Sequence, residues 1–164
     1  MFFLKGDSNM QFYFYDARFK HAIDQYQLSE EQLRFTGEPK ECIKLSNEDS
    51  ERFSILAFEN DQFGTFFVLH KNEGIKPYSE NNHAILLRAF STDFRHQRKG
   101  FAKKALMMLP SFVKENFREI NEIVLAVNLG NEAAQGLYRK CGFIDEGERR
   151  MGPKGELIIM RYYL

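Results

Sequence analysis

Gln97, Arg98, Lys99 and Gly100 are the residues whose types and spacing first point to chemistry in this chain. They make a basic, glycine-containing turn between the short apolar run Ala84-Ile-Leu-Leu-Arg-Ala-Phe90 and a stretch in which Ala102, Ala105, Leu106, Leu109, Phe112 and Val113 recur at helical spacing. The first N–H groups of a helix lack intrahelical partners and sit at the positive end of its dipole, so a turn feeding them can hold a phosphate. Gly100 leaves the anion's approach free of a side chain. Nucleotide binding by a P-loop is excluded, because no Gly-Lys-Ser/Thr follows the glycine.

Gln97-Arg-Lys-Gly-Phe-Ala102 fits the pattern Gln/Arg-x-x-Gly-x-Gly/Ala. Further on, Asn128-Leu-Gly-Asn131 leads into Ala133-Ala-Gln-Gly-Leu-Tyr-Arg-Lys-Cys-Gly-Phe143, which fits Asn-x-x-Ala-x-x-Leu-Tyr-x-x-x-Gly-Phe. With both motifs in this order, the chain resembles the GNAT family of N-acetyltransferases, closely from about Ala84 to the end and loosely before it. Ala102 replaces the commoner second glycine, and Arg98 a commoner glycine after Gln97, which adds bulk to the loop.

The resemblance implies an α/β (α+β) fold: a central mixed, mostly antiparallel sheet of six to seven strands with a splayed parallel pair, and helices on both faces. It implies acetyl-coenzyme A as co-substrate, with no metal. Backbone groups of the loop Gln97, Arg98, Lys99, Gly100, Phe101, Ala102 and Lys103 would hold the pyrophosphate. The strand end at Phe90, Ser91 and Thr92, splayed from its neighbour, would bond the pantetheine amides as an added strand. Asn128 and Asn131 would also touch the cofactor, although Asn131 is equally a favoured N-cap. Tyr138 would protonate the departing thiolate; without the motif it reads as a core tyrosine beside Ala134, Leu137 and Cys141. Cys141 has no basic partner nearby in sequence and reads as packing, so direct transfer is expected rather than an acyl-enzyme.

A primary amine must lose a proton before it attacks. His83, His96, Asp93 and Glu122 stand near the predicted cleft mouth, but none is assigned as base, and water could take the proton. Glu30, Glu31, Glu38 and Glu41 are candidates for binding a cationic amine, against the simpler reading of solvated surface carboxylates.

Around these residues, 164 positions suit one domain spanning 1–164. Lys plus Arg and Asp plus Glu number 23 each, so no overall charge draws the chain to nucleic acid or membrane. The two cysteines have no metal-ligand spacing and suit a reducing cytoplasm. Met1-Phe-Phe-Leu-Lys-Gly-Asp7 is too short and too soon polar for a signal peptide, and no apolar run reaches membrane-helix length.

Met10–Tyr15 predicts a first strand and Phe19–Tyr26 a short helix. Ser29 with Gln32 three residues on predicts a second helix start, closed by the Gly37-Glu-Pro39 turn. Phe53–Phe58 and Phe63–Leu69 predict a hairpin around Glu59-Asn-Asp-Gln62. The longest loop falls at Asn72–Asn82. Pro110 predicts a kink or break near Met107–Pro110. Glu122–Val127 reads as a strand parallel to Ala84–Phe90, followed by a helix over Asn131–Cys141 ended by Gly142. Phe143–Arg150 and Leu157–Tyr163 make a closing hairpin.

The expected function is transfer of an acetyl group to a small-molecule amine, polyamine-like or amino-acid-like. Gln32-Leu-Arg-Phe-Thr36 and Gly155-Glu-Leu-Ile-Ile-Met160 loosely resemble bacterial polyamine-type members. The alternatives are a protein amino group as acceptor, or an acyl-coenzyme A sensor without turnover. A homodimer is allowed by these features, not required.

Overall fold

The computed structural model describes residues 9–164; the Met1–Asp7 segment lies outside them. Its strands are β1 (Met10–Phe14), β2 (Arg52–Glu59), β3 (Gln62–His70), β4 (Ala84–Thr92), β5 (Glu122–Asn128), β6 (Ile144–Gly152) and β7 (Gly155–Tyr163). Its helices are α1 (Lys20–Gln25), α2 (Glu30–Leu33), α3 (Pro39–Glu48), α4 (Phe101–Asn116) and α5 (Glu132–Lys140). The seven strands form one sheet in the order β1-β2-β3-β4-β5-β7-β6, antiparallel throughout except for β4 and β5.

Alternation along the central strands splits the core between the two faces of the sheet. Ile55, Phe67, Leu69 and Ile85 pack with Leu106, Leu109 and Val113 of α4 and Tyr138 of α5. Their neighbours Leu56, Phe66 and Val68 pack instead with Ile23 of α1 and Cys42 and Ile43 of α3. β5 is apolar without alternation because it is covered on both faces.

Turn chemistry sets the connections. The β2–β3 hairpin turns on Asn60 and Asp61, both at positive φ (49° and 67°), the backbone a two-residue primed turn demands. Ser29 and Gln32 form the reciprocal capping box at the start of α2. Gly142 follows α5 at φ 98°.

Two expectations are corrected. The segment begun at Ser29 does end before Gly37, but Pro39 belongs to the next element: it is the first residue of an unexpected helix, α3, where its fixed φ suits a helix start and its missing N–H costs nothing. Nor does Pro110 break α4, which runs continuously through it to Asn116. An interior proline costs about 3 kcal/mol, whereas each fully buried leucine contributes roughly 1.5–3 kcal/mol. Leu106, Leu109 and Val113, all buried on the turns around Pro110, outweigh it.

What positions the site is the parting of β4 from β5. They pair only from Ala84–Leu87 to Glu122–Leu125. Beyond that point β4 stays with β3, through a bulge where Val68 faces Arg88 and Phe66 faces Ser91, with Ala89 at φ 53°. β5 stays with β7 to its end.

Candidate active site

A cavity of about 710 Å³ fills the gap between the separated strand ends. The β4 wall runs from Leu87 to Thr92 and the β5 wall from Leu125 to Asn128. Along the gap the Phe90 and Ser91 backbone has no β5 partner. The Thr92 carbonyl accepts a hydrogen bond from Gln32 Nε2 at 2.7 Å, which ties α2 to the strand end.

The start of α4 forms one end of the cavity. Gly100 is its N-cap at φ 84°, a conformation that favours glycine, and no side chain caps the first turn. Its first N–H groups are therefore available to an anion. Arg98 sits at φ 63°, so it takes the left-handed backbone that glycine takes freely at this point of the pattern. The loop keeps its path at a cost of order 1 kcal/mol at that residue. Phe101 anchors the helix start against β3: a Cβ on Gly64 would lie 2.1 Å from the Phe101 ring.

At the other wall, α5 is held to β5 by its own turn. Asn131 Oδ1 accepts from the Ala134 N–H at 3.3 Å, and buried Gln135 donates through Nε2 to the Asn128 and Leu129 carbonyls, both at 2.9 Å. This fixes Tyr138, whose ring packs edge-on to Phe90 and Phe143. Tyr138 is 8% exposed and lines the cavity, and its hydroxyl has no hydrogen-bond partner among the described residues. Burial raises its pKa, so the phenol keeps its proton across the whole neutral range. Its ring belongs to the core cluster, as the packing reading expects, and the residue also lines the cavity.

Of the sequence-predicted residues, Phe90, Ser91, Thr92, Gln97, Arg98, Gly100, Phe101, Ala102, Lys103, Asn128, Asn131 and Tyr138 all line this cavity, and Lys99 does not. Cys141 is buried outside the lining, with its thiol pushed up by burial. Among the acidic candidates Glu31 lines the cavity, and Glu30, Glu38 and Glu41 do not. Three of the residues expected near the cleft mouth are elsewhere. His83 precedes β4 and Glu122 begins β5, both at the end of the parallel pair remote from the gap. Glu122 is bound there to Arg161 at 2.7 Å. Asp93 is fully buried, accepting from Arg95 and from the Gln27 N–H. His96 does line the cavity, with its ring against Phe101.

A strand that ends beside an uncapped helix start, with a buried phenol across the gap, fits a thioester of coenzyme A. The sequence pattern of the Acetyltransferase (GNAT) family matches residues 16–143. The chain belongs to the GNAT family. As a GNAT acetyltransferase it uses acetyl-coenzyme A as acyl donor. It is 38% identical over 152 residues to the Uncharacterized N-acetyltransferase YbbJ of Bacillus subtilis (strain 168), covering 92% of this chain and 95% of that one. The fold is shared with the aminoglycoside acetyltransferase AAC(6')-Ib, in complex with ribostamycin and coenzyme A. There the TM-score is 0.78 at 14% identity, over 96% of this chain and 94% of the other. It is shared too with the spermidine N-acetyltransferase of Vibrio cholerae, in complex with coenzyme A and spermine. There the TM-score is 0.70 at 15% identity, over 94% and 95% of the two chains.

Sequence reasoning placed the first helices at the acceptor site through their carboxylates, of which Glu31 alone lines the cavity; it missed Gln32 of α2, Phe35 and Thr36 just after it, and Arg88. Arg88 had a signal: a lone arginine within Ala84–Phe90, an otherwise apolar buried strand, needs a reason to be there.

Proposed function

We propose that this GNAT enzyme acetylates the primary amine of a small molecule by direct attack, with Tyr138 as general acid. The observation that carries the reading is the Tyr138 hydroxyl, which has no hydrogen-bond partner among the described residues, on a side chain that lines the cavity between β4 and β5. Acetyl-coenzyme A supplies the acetyl group as a thioester, whose carbonyl carbon takes the amine's lone pair as the C–S bond breaks.

The chain's own groups do the rest. The uncapped first turn of α4, with Arg98 and Lys103 beside it, suits the pyrophosphate. The β5-facing edge of Phe90 and Ser91, which pairs with no strand there, suits the amides of the pantetheine arm, as an added strand would. Tyr138 gives its proton to the departing sulfur and recovers one from solvent, while the amine's proton leaves to water. Neither cysteine lines the cavity, which supports direct transfer over an acyl-enzyme. A small acceptor is supported by Gln32 of α2 and by Phe35 and Thr36 just after it, which line the cavity, and by the amines bound in the two structurally similar enzymes. Among the described residues no helix is long and apolar enough to cross a membrane, in keeping with a cytoplasmic place of action.

The test is release of free thiol when the protein is mixed with acetyl-coenzyme A and a panel of amines. Thiol release that depends on the amine and falls in Tyr138→Phe supports the reading. Tight coenzyme A binding without release for any small amine would leave a sensor or a protein-modifying enzyme.

A further inference from the structure

Arg88 is a charge that the proposed chemistry does not use. It lies at the β4 bulge, opposite Val68 and next to Ala89, and it lines the cavity between the strands. Its guanidinium donates from Nη1 to His70 Nδ1 at 3.1 Å, and His70 Nε2 in turn donates to Asp49 Oδ2 at 3.2 Å. A guanidinium has no acceptor, so the direction of this chain is fixed and His70 is the neutral, Nε2-protonated tautomer. His70 is 5% exposed, and its ring lies close over Gly74, where a Cβ would lie 2.2 Å from it. Arg88 is thus aimed by groups on three elements, the end of α3, β3 and β4.

The chain that aims Arg88 does not neutralise it. Asp49 is separated from it by a whole imidazole and also pairs with Arg52 at 3.6 Å. Among the described residues no carboxylate forms an ion pair with Arg88. Burial and the nearby Arg52 pull its guanidinium below the ordinary value, the mark of an uncompensated cation. Half-buried positive charge of this kind is unfavourable until an anion meets it. With Arg98 and Lys103 given to the pyrophosphate, Glu31 is the one carboxylate left in the lining to set against Arg88, whereas a polycationic acceptor needs several carboxylates.

We propose that Arg88 binds a carboxylate of the acceptor, so that this enzyme acetylates an amino-acid-like molecule carrying amine and carboxylate together. The inference rests on the acetyltransferase reading of the same cavity. With Nη1 engaged by His70, the Nε–Nη2 edge of the guanidinium is left for a planar, bidentate anion. One unneutralised cation matches one negative charge, which favours a carboxylate over a doubly charged phosphate.

The experiment measures acetyl transfer to the common free amino acids, to their carboxamides, and to spermidine, in wild type, Arg88→Gln and Arg88→Lys. Coenzyme A affinity by calorimetry and thermal melting serve as controls. We expect a free amino acid to be the preferred acceptor, with kcat/KM at least a hundredfold above its carboxamide, since a site built around a charged hydrogen bond rejects the analogue lacking it. Arg88→Gln keeps a donor for His70; it should erase that preference mainly through KM, with coenzyme A affinity unchanged, and Arg88→Lys should restore part of it. The proposal is overturned if no carboxylate-bearing amine is acetylated, or if Arg88→Gln leaves the acid-to-amide ratio intact. Turnover of spermidine or a carboxamide in that case would preserve the acetyltransferase reading, and failure to bind coenzyme A would remove both.

Discussion

Tyr138 is held so tightly that its substitution separates packing from chemistry. Tyr138→Phe removes one hydroxyl that bonds no described residue and keeps the ring between Phe90 and Phe143. Stability and coenzyme A affinity should stay near wild type, while single-turnover transfer falls roughly 10²–10⁴-fold, the usual worth of a placed proton donor. Unchanged single-turnover rates across the pH range would remove Tyr138 as the acid. The loop admits a second pair of changes. Gly100→Glu puts a side chain on a residue at φ 84° and a negative charge at the uncapped helix start, so calorimetric titration should show coenzyme A binding abolished. Arg98→Gly relieves a left-handed arginine while giving freedom to the unfolded chain, so stability should change by less than about 1 kcal/mol in denaturant melts. Coenzyme A affinity should then drop only by what one exposed charge contributes.

The elements hold the loop in place through a single close approach. Phe101, the first residue of α4, lies over Gly64 of β3 with no space for a methyl group between them. Gly64→Ala must push the helix start away from the sheet. The expected outcome is a loss of stability of about 1–3 kcal/mol, the range for overpacking, together with a weaker grip on coenzyme A. Retained affinity in a destabilised variant would show that the loop does not depend on this contact. Elements of this kind differ in how openly the sequence declares them. The β2–β3 hairpin was legible because Asn60-Asp61 is itself the turn, and α2 because Ser29 and Gln32 are its cap. By contrast, α3 was hidden by Pro39, which can end one segment or begin another, and only the burial of Cys42 and Ile43 against the sheet decides between them. The break expected at Pro110 does not occur, because helix propensity is local and the apolar contacts that overrule it come from β2, β3 and β5.

At the scale of the whole molecule, one end of the cavity was legible and the other was not. The loop at Gly100 and the helix of Tyr138 are contiguous patterns, so their spacing can be read along the chain. The Asp49–His70–Arg88 chain is assembled from the end of α3, β3 and β4, and no spacing announces it. That chain also sets a pH dependence of folding. Desolvation, then the charges of Arg52 and Arg88, lower the pKa of His70 from 6.5, and Asp49 opposes them only in part. The folded protein therefore binds a proton at His70 less readily than the unfolded chain does. Its contribution to stability is complete above about pH 6.5 and is lost as the pH falls through the lower, folded value. Protonation would also leave Nδ1 unable to accept from Arg88, with two cations face to face. Urea unfolding between pH 7.5 and 5 should show stability declining with acidity, by no more than about 1.4 kcal/mol per pH unit from one proton. In His70→Gln the decline over that window should flatten, whatever its absolute stability. An identical slope in both proteins would show that His70 is not the group whose protonation unfolds the chain.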